Sequence, residues 1–121
     1  VLALFATPIT VVAAPPANMV NIVIGVKLFL DHGGTDYAGI AAGEDFVLKY
    51  TNAAGATILT IESTGFLDAS ADALRYQASP ATILVPVTAA GIVAHILAGE
   101  IITGNSPLEV EVFYITVQAN N

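Results

Sequence analysis

Short runs along the chain alternate apolar and polar positions, which is the pattern of half-buried β-strands. In the longest run every even position from Val20 to Leu30 is apolar, whereas the odd positions include Asn21 and Lys27. Clusters of Gly, Pro, Ala and Asn separate the runs, as turns do between strands. We therefore predict an all-β protein, an antiparallel, jelly-roll-like β-sandwich of about eight strands. The predicted strands cover residues 9–13, 20–30, 45–51, 57–62, 74–77, 83–88, 92–97 and 108–118.

The chain divides into a proline-interrupted start and a single β-sandwich domain. Residues 1–18 contain the first strand candidate within an apolar stretch that prolines break up, and residues 19–121 contain the other candidates. Because this start has no evident place in a sandwich, we predict an extended N-terminal arm that reaches a neighbouring molecule. Its predicted contact residues are Phe5, Ile9 and Val11.

The last predicted strand has two dissimilar faces. One face carries Glu109 and Glu111 and then becomes apolar with Phe113, Ile115 and Val117. A second subunit that covers the apolar half is one explanation, and a loop of the same chain is the other. We include Phe113, Ile115 and Val117 among the predicted contacts with another subunit or with a partner protein.

Composition favours a protein whose surface is partly covered by other molecules. Hydrophobic residues make up 55% of the 121 residues and charged residues 11%, whereas about 25% charged residues is usual for soluble domains. The alternative is a large core with an exterior rich in Ser, Thr and Ala. The net charge is −7, with only three Lys and Arg, so we predict no nucleic-acid binding and no attraction to an anionic membrane. No run approaches the roughly 18 apolar residues of a membrane-spanning helix.

The heptad DHGGTDY, residues 31–37, gathers polar groups that are typical of either a metal site or a tight turn. It contains one of the two histidines, but the chain has no H-x-H pair and no third histidine that would join His32 and His95 around a metal. The two glycines supply the backbone freedom of a tight turn, and short polar residues bond to nearby amides there. We predict a hairpin tip, with no metal and no cofactor. Its residues are Asp31, His32, Gly33, Gly34, Asp36 and Tyr37.

Other catalytic signals are weak as well. None of the serines lies in a G-x-S-x-G motif, and no phosphate-binding glycine motif occurs. Paired carboxylates, which can do acid–base chemistry, remain open because any two of the ten acids can meet in space. The four tyrosines leave a sugar-binding surface open. We predict a protein without catalytic residues.

Several stretches together resemble small virion proteins of tailed bacteriophages and related prophages. They are LFATPITVVAAP, LFLDHGGTDYAGIAAGEDFVLKYTNAAGA, ESTGFLDASADALRY and GEIITGNSPLEVEVFYITV, and they cover nearly the whole chain. The most specific pieces are G-G-T-x-Y at 33–37, T-G-F-L-D at 64–68 and T-G-N-S-P-L at 103–108. None of these pieces is a catalytic signature.

The resemblance implies a non-enzymatic capsid decoration (cement) protein on the outer surface of the virion, made in the cytoplasm of the bacterial host. Its implied partners are copies of itself, as a homotrimer, and the phage major capsid protein. A tail or head-fibre domain that binds a receptor or glycan is the alternative. The chain departs from its relatives in the final strand, where a V-R-V-Y-Y-R pattern is replaced by VEVFYIT with Glu111. A contact made by that basic residue is therefore not expected here.

Overall fold

The computed structural model describes residues 1–80 and 86–119 of the chain. Within these residues it has seven strands and no helix, so none of them forms a helix long and apolar enough to cross a membrane. All seven strands coincide with predicted runs. The eighth predicted run, 83–88, lies partly outside the described residues, and its described part is not in a strand. The strands are β1 (Ile9–Val12), β2 (Met19–Leu30), β3 (Phe46–Tyr50), β4 (Thr57–Ile61), β5 (Ala73–Ala78), β6 (Ile92–Ile96) and β7 (Leu108–Gln118).

The strands form two antiparallel sheets, which confirms the predicted all-β class and its sandwich-like character. One sheet has four strands in the order β1-β6-β3-β4, and the other has three in the order β5-β2-β7. The long β2 is the centre of the smaller sheet and pairs with β5 along one edge and β7 along the other. A bulge between Val23 and Gly25 adds one β2 residue, Ile24, that has no counterpart in β7. A bulge of this kind increases the local twist of the strand.

The core lies between the sheets and takes apolar side chains from both. Val26, Leu28 and Leu30 of β2 meet fully buried residues of β3 and β6. Even positions of β2 therefore do face the core after the bulge, as the alternation predicts. Burial of each such side chain contributes about 1.5–3 kcal/mol. The fully buried partners are Phe46, Leu48, Tyr50, Ile92 and Ile96.

A polar tie joins the sheets at the start of β2. Tyr50 donates its hydroxyl to the main-chain carbonyl of Asn21 over 2.6 Å. The Asn21 side chain, which is only 1% exposed, donates to the Ala13 carbonyl over 3.2 Å and accepts from the Thr116 hydroxyl over 2.7 Å. The buried amide therefore has partners for both its oxygen and its nitrogen, as a buried polar group requires.

The N-terminal residues have a place in the sandwich, which corrects the prediction of an extended arm. Strand β1 pairs antiparallel with β6 at the edge of the larger sheet. Leu4 and Val12 are each only 5% exposed and belong to the core. Residues 2–7 form a turn that precedes β1. Pro8, Pro15 and Pro16 flank β1 and lie outside it. Prolines are tolerated next to an edge strand because no hydrogen bond to a neighbouring strand requires their missing N–H.

Candidate interaction surface

The heptad at residues 31–37 connects the two sheets, so the prediction of a hairpin tip is corrected. It follows β2 of the smaller sheet, and the next strand, β3, belongs to the larger sheet. A hairpin requires two successive strands that pair with each other. The glycine argument holds at one position, because Gly34 has a φ of 94°. Such a value is unfavourable for other residues.

Polar groups of the heptad hold this connection against residues 105–106. Gly33 donates its N–H to the Ser106 hydroxyl over 3.1 Å, and Thr35 donates to the Asn105 side chain over 2.9 Å. The buried Tyr37 hydroxyl donates to the Ser106 carbonyl, and burial raises the pKa of Tyr37. These bonds give the polar groups of the heptad a structural role, since they fix where the chain crosses between the sheets.

The acidic residues around His32 also satisfy local bonds. The His32 ring nitrogen Nε2 lies 2.6 Å from Asp36 Oδ1, and the His32 N–H donates to Asp72 Oδ1 over 2.9 Å. Asp31 is exposed, and its N–H donates to the Pro107 carbonyl over 3.0 Å. Within residues 1–80 and 86–119, no three His, Asp or Glu side chains come close enough together to hold a metal ion. The geometry of the described heptad therefore offers local ion pairing and loop anchoring.

His95 packs against the N-terminal turn rather than against the heptad. It is 5% exposed, its ring stacks on Phe5 with centroids 5.8 Å apart, and its Nε2 lies 3.1 Å from the Phe5 carbonyl. Since a carbonyl only accepts, Nε2 carries the proton of the neutral ring. Burial lowers the pKa of His95. The histidine is therefore a neutral packing group that ties the N-terminal turn to β6.

Among the described residues, most of the exposed large apolar side chains that belong to a sheet face lie on the outer face of the smaller sheet. Register places side chains of β5, β2 and β7 side by side on this face, away from the core. We call six of the large apolar side chains on this face the outer patch; Val20 and Ile22 of β2 adjoin it opposite Val117 and Ile115. The outer patch consists of Phe29, Leu74, Tyr76, Phe113, Ile115 and Val117.

Strand β2 contributes a glycine, and therefore no side chain, at the middle of the outer patch. The Tyr76 ring lies over Gly25, where an added Cβ would come within 2.6 Å of the tyrosine hydroxyl oxygen. Tyr76 thereby reaches Phe113 on the far side of β2, with ring centroids 6.2 Å apart in an edge arrangement. Leu74 is 61% exposed, Tyr76 56% and Ile115 49%. Exposed apolar residues that adjoin one another typically mark an interaction site.

Charge on this face is largely paired. Lys27 and Glu111 lie opposite each other in the β2–β7 register, and Lys27 Nζ is 2.6 Å from Glu111 Oε2. The hydrogen bond to Glu111 raises the pKa of Lys27. An exposed pair of this kind contributes little to stability, but it cancels charge beside the outer patch. A partner therefore meets an apolar surface with one neutralised pair and Glu109 at its end.

The residues predicted as contacts fall into three places. Phe113, Ile115 and Val117 lie in the outer patch, and no described loop covers the first two, which are 40% and 49% exposed. Ile9 and Val11 line a cleft of about 220 Å³ between β1 and β7, whereas Phe5 packs on His95. The other described residues of the cleft are Val1, Leu4, Ala94, Leu108 and Val110.

Sequence reasoning missed the part of the outer patch that comes from β2 and β5. Leu74 and Tyr76 alternate with Ala73 and Arg75 in the sequence, which indicated a strand but not which face would be covered. Only the pairing of β5 with β2 puts these side chains beside Phe113. The alternation of Leu74 and Tyr76 with Ala73 and Arg75 was the only feature of the sequence that pointed to an apolar strand face here.

Comparisons of the chain with protein-family profiles, with curated proteins and with solved structures found no match.

Proposed function

We propose that the protein is a non-enzymatic virion structural protein of a tailed bacteriophage, a capsid decoration (cement) protein that binds the assembled major capsid shell as a homo-oligomer. It acts on the outer surface of the capsid and is made in the cytoplasm of the bacterial host. The sequence resemblance supplies the virion context, and the jelly-roll-like form with an eighth strand remains part of the proposal. The single observation that carries it is the outer patch, an exposed apolar face of the three-stranded sheet.

The mechanism is stabilisation by mass action. A protein that binds the assembled shell, but not separated capsid subunits, shifts the assembly equilibrium toward the shell. Several linked copies bind more tightly than one, because each later contact forms at a high effective concentration. The outer patch suits this role, since Leu74 and Tyr76 project from a sheet that is already fixed by its core.

Shell binding can be tested with substitutions in the outer patch. We expect the double variant Leu74→Ser, Tyr76→Ser to bind purified shells of the encoding phage at least about tenfold more weakly. A loss of about 1.4 kcal/mol in binding free energy corresponds to a tenfold lower affinity, and removing two apolar contacts is expected to cost at least that much. Occupancy is measured by pelleting shells with the protein and quantifying the bound chain. Both side chains are more than half exposed, so the fold itself is expected to survive, and far-ultraviolet circular dichroism checks this.

Ile102→Ser is the matched control, since Ile102 is 75% exposed and lies outside the outer patch. It should bind shells as the unmodified chain does. Undiminished binding by the double variant would overturn the assignment of the outer patch as the docking face, and failure of the unmodified chain to bind shells would overturn the decoration role.

A fibre domain that binds a receptor or glycan is the second candidate. The observation that favours it is the pair of exposed aromatic rings of Tyr76 and Phe113, since sugars pack on aromatic faces. Copy number in intact particles separates the two functions. Quantitative mass spectrometry should find on the order of hundreds of copies for decoration, and a few to dozens for a fibre, because symmetry fixes how many equivalent sites each location offers.

A further inference from the structure

Strand β7 has an open edge whose hydrogen-bonding groups can be assigned. It lies at the end of the order β5-β2-β7, and no other described strand pairs with it. Asp31 N–H donates to the Pro107 carbonyl at one end of the β2–β7 ladder, and Ala119 N–H donates to the Asn18 carbonyl at the other. Since these groups alternate along an antiparallel strand, odd-numbered residues of β7 bond to β2. Even-numbered residues from 110 to 118 direct their N–H and C=O groups toward the open edge.

Only the first half of this edge carries a feature that prevents pairing with another strand. Native edge strands are commonly protected by charged side chains, prolines or bulges. Glu109 and Glu111 protect the first half of β7, whereas residues 112–118 contain no charged residue and no proline. The bulge in this ladder belongs to β2 and leaves β7 regular.

The unprotected half is also exposed on both of its faces. Phe113 and Ile115, on the outer face, are 40% and 49% exposed, and Tyr114, on the opposite face, is 44% exposed. A strand whose two faces and one edge are all open can extend a sheet, because an added strand forms main-chain bonds and packs side chains on both faces.

The pattern of this half is complementary to itself. When β7 is placed antiparallel to a second β7 with the axis at Ile115, Phe113 opposes Val117, and Tyr114 opposes Thr116. Both are pairs of an aromatic with a β-branched residue, a favourable combination across strands. This register also keeps the glutamates of the two copies at opposite ends of the ladder. An axis at Glu111 would instead place like charges face to face in a chain whose net charge is −7.

We propose that two copies of the chain pair their β7 strands antiparallel across a two-fold axis at Ile115, which joins the two three-stranded sheets into one continuous sheet. An axis perpendicular to the sheet leaves both outer patches on the same side. The pairing itself does not depend on the proposed function. Its role in shell binding, in which the dimer presents two outer patches to the capsid, rests on that function. It predicts a two-fold contact where the sequence resemblance implies a homotrimer.

Single cysteines test the register, because the chain contains none. In this pairing Ile115 opposes its own copy as a non-hydrogen-bonded pair, with Cα atoms about 4.5 Å apart, which suits a disulfide. We expect Ile115→Cys to form a covalent dimer on mild oxidation, read on a non-reducing gel. Thr116→Cys is the register control, since its two copies would lie roughly 8 Å apart, from a rise of ~3.4 Å per residue. Ile102→Cys, on an exposed side chain outside β7, controls for random collision.

Mass in solution tests the association without any capsid shell, so this proposal and the decoration role can fail separately. We expect light scattering to give twice the 12.4 kDa chain mass, and Ile115→Lys to give a monomer because it places two cations together at the axis. Ile102→Lys should remain dimeric. A monomeric or trimeric unmodified chain would overturn the proposal, as would equal cross-linking at positions 102, 115 and 116.

Discussion

Strands β6 and β7 are both rich in apolar residues, yet their environments are opposite. All five residues of β6, IVAHI, are buried, whereas none of the eleven residues of β7, LEVEVFYITVQ, is fully buried. Strand β6 lies between β1 and β3, and β7 has a described neighbour on one side only. Apolar content therefore indicates that a segment forms a strand, while the position of the strand in its sheet decides how much of it is accessible to another molecule.

The largest expected difference between the two strands is the cost of removing an isoleucine. We expect Ile96→Ala in β6 to lower the free energy of unfolding by about 2–5 kcal/mol, because the fully buried side chain leaves a cavity. Ile115→Ala in β7 should change it by about 0.5 kcal/mol or less, as is usual for exposed positions. Urea unfolding followed by circular dichroism, at a concentration low enough for monomers, measures both. Equal losses would contradict the contrast between the strands.

An intermediate effect is expected where the exposed half of β7 is tied to the rest of the sandwich. Asn21→Leu removes the donor to the Ala13 carbonyl and the acceptor of the Thr116 hydroxyl. We expect a loss of about 1–3 kcal/mol in the free energy of unfolding, because the groups left behind are partly buried without partners.

Asn52→Leu is the matched control for this variant, since Asn52 is exposed and its side chain only accepts a local turn bond from Ala54. It should lose about 0.5 kcal/mol or less. If Asn21→Leu were as stable as the control, the polar tie would have no role in holding β7 to the sandwich.

The smallest expected effect is a pH dependence from the one titratable side chain in β6. Burial lowers the pKa of His95, so the unfolded chain binds a proton more readily than the folded one. The resulting stability is present above the ordinary pKa of 6.5 and is lost as the pH falls from there through the lowered pKa of the folded state.

Urea midpoints measured from pH 7.5 to pH 5 check this sign. The unmodified chain should lose more stability over this range than His95→Gln, because the glutamine has no proton to bind. The comparison between the two chains isolates position 95, because every other ionisable group is common to both. Identical pH profiles of the two chains would show that protonation of His95 does not affect the stability of the fold.

Period-two alternation was sufficient to predict seven strands and the all-β class, because half-buried strands impose that period on their side chains. It also identified the apolar face of β7 through Phe113, Ile115 and Val117. The alternation could not predict which strands pair. For this reason the heptad at 31–37 was expected at a hairpin tip, although the structure uses it to cross between the sheets.

The N-terminal stretch was misjudged for a related reason. Its prolines suggested a free arm, but the pairing of β1 with β6 is a contact between residues that are eighty or more positions apart. Nothing local in the sequence encodes such a partner. Leu4 entering the core and Phe5 stacking on His95 follow from that pairing.

The amino-acid sequence alone predicts that the chain forms strands and where most of them lie, because both follow from the local period of its apolar residues. Which strand lies at the edge of a sheet and which apolar face stays exposed depend on strand pairing in the folded protein. Leu74, Tyr76 and Phe113 come from strands far apart in the chain, and they form one surface because β2 places them side by side and leaves room at Gly25.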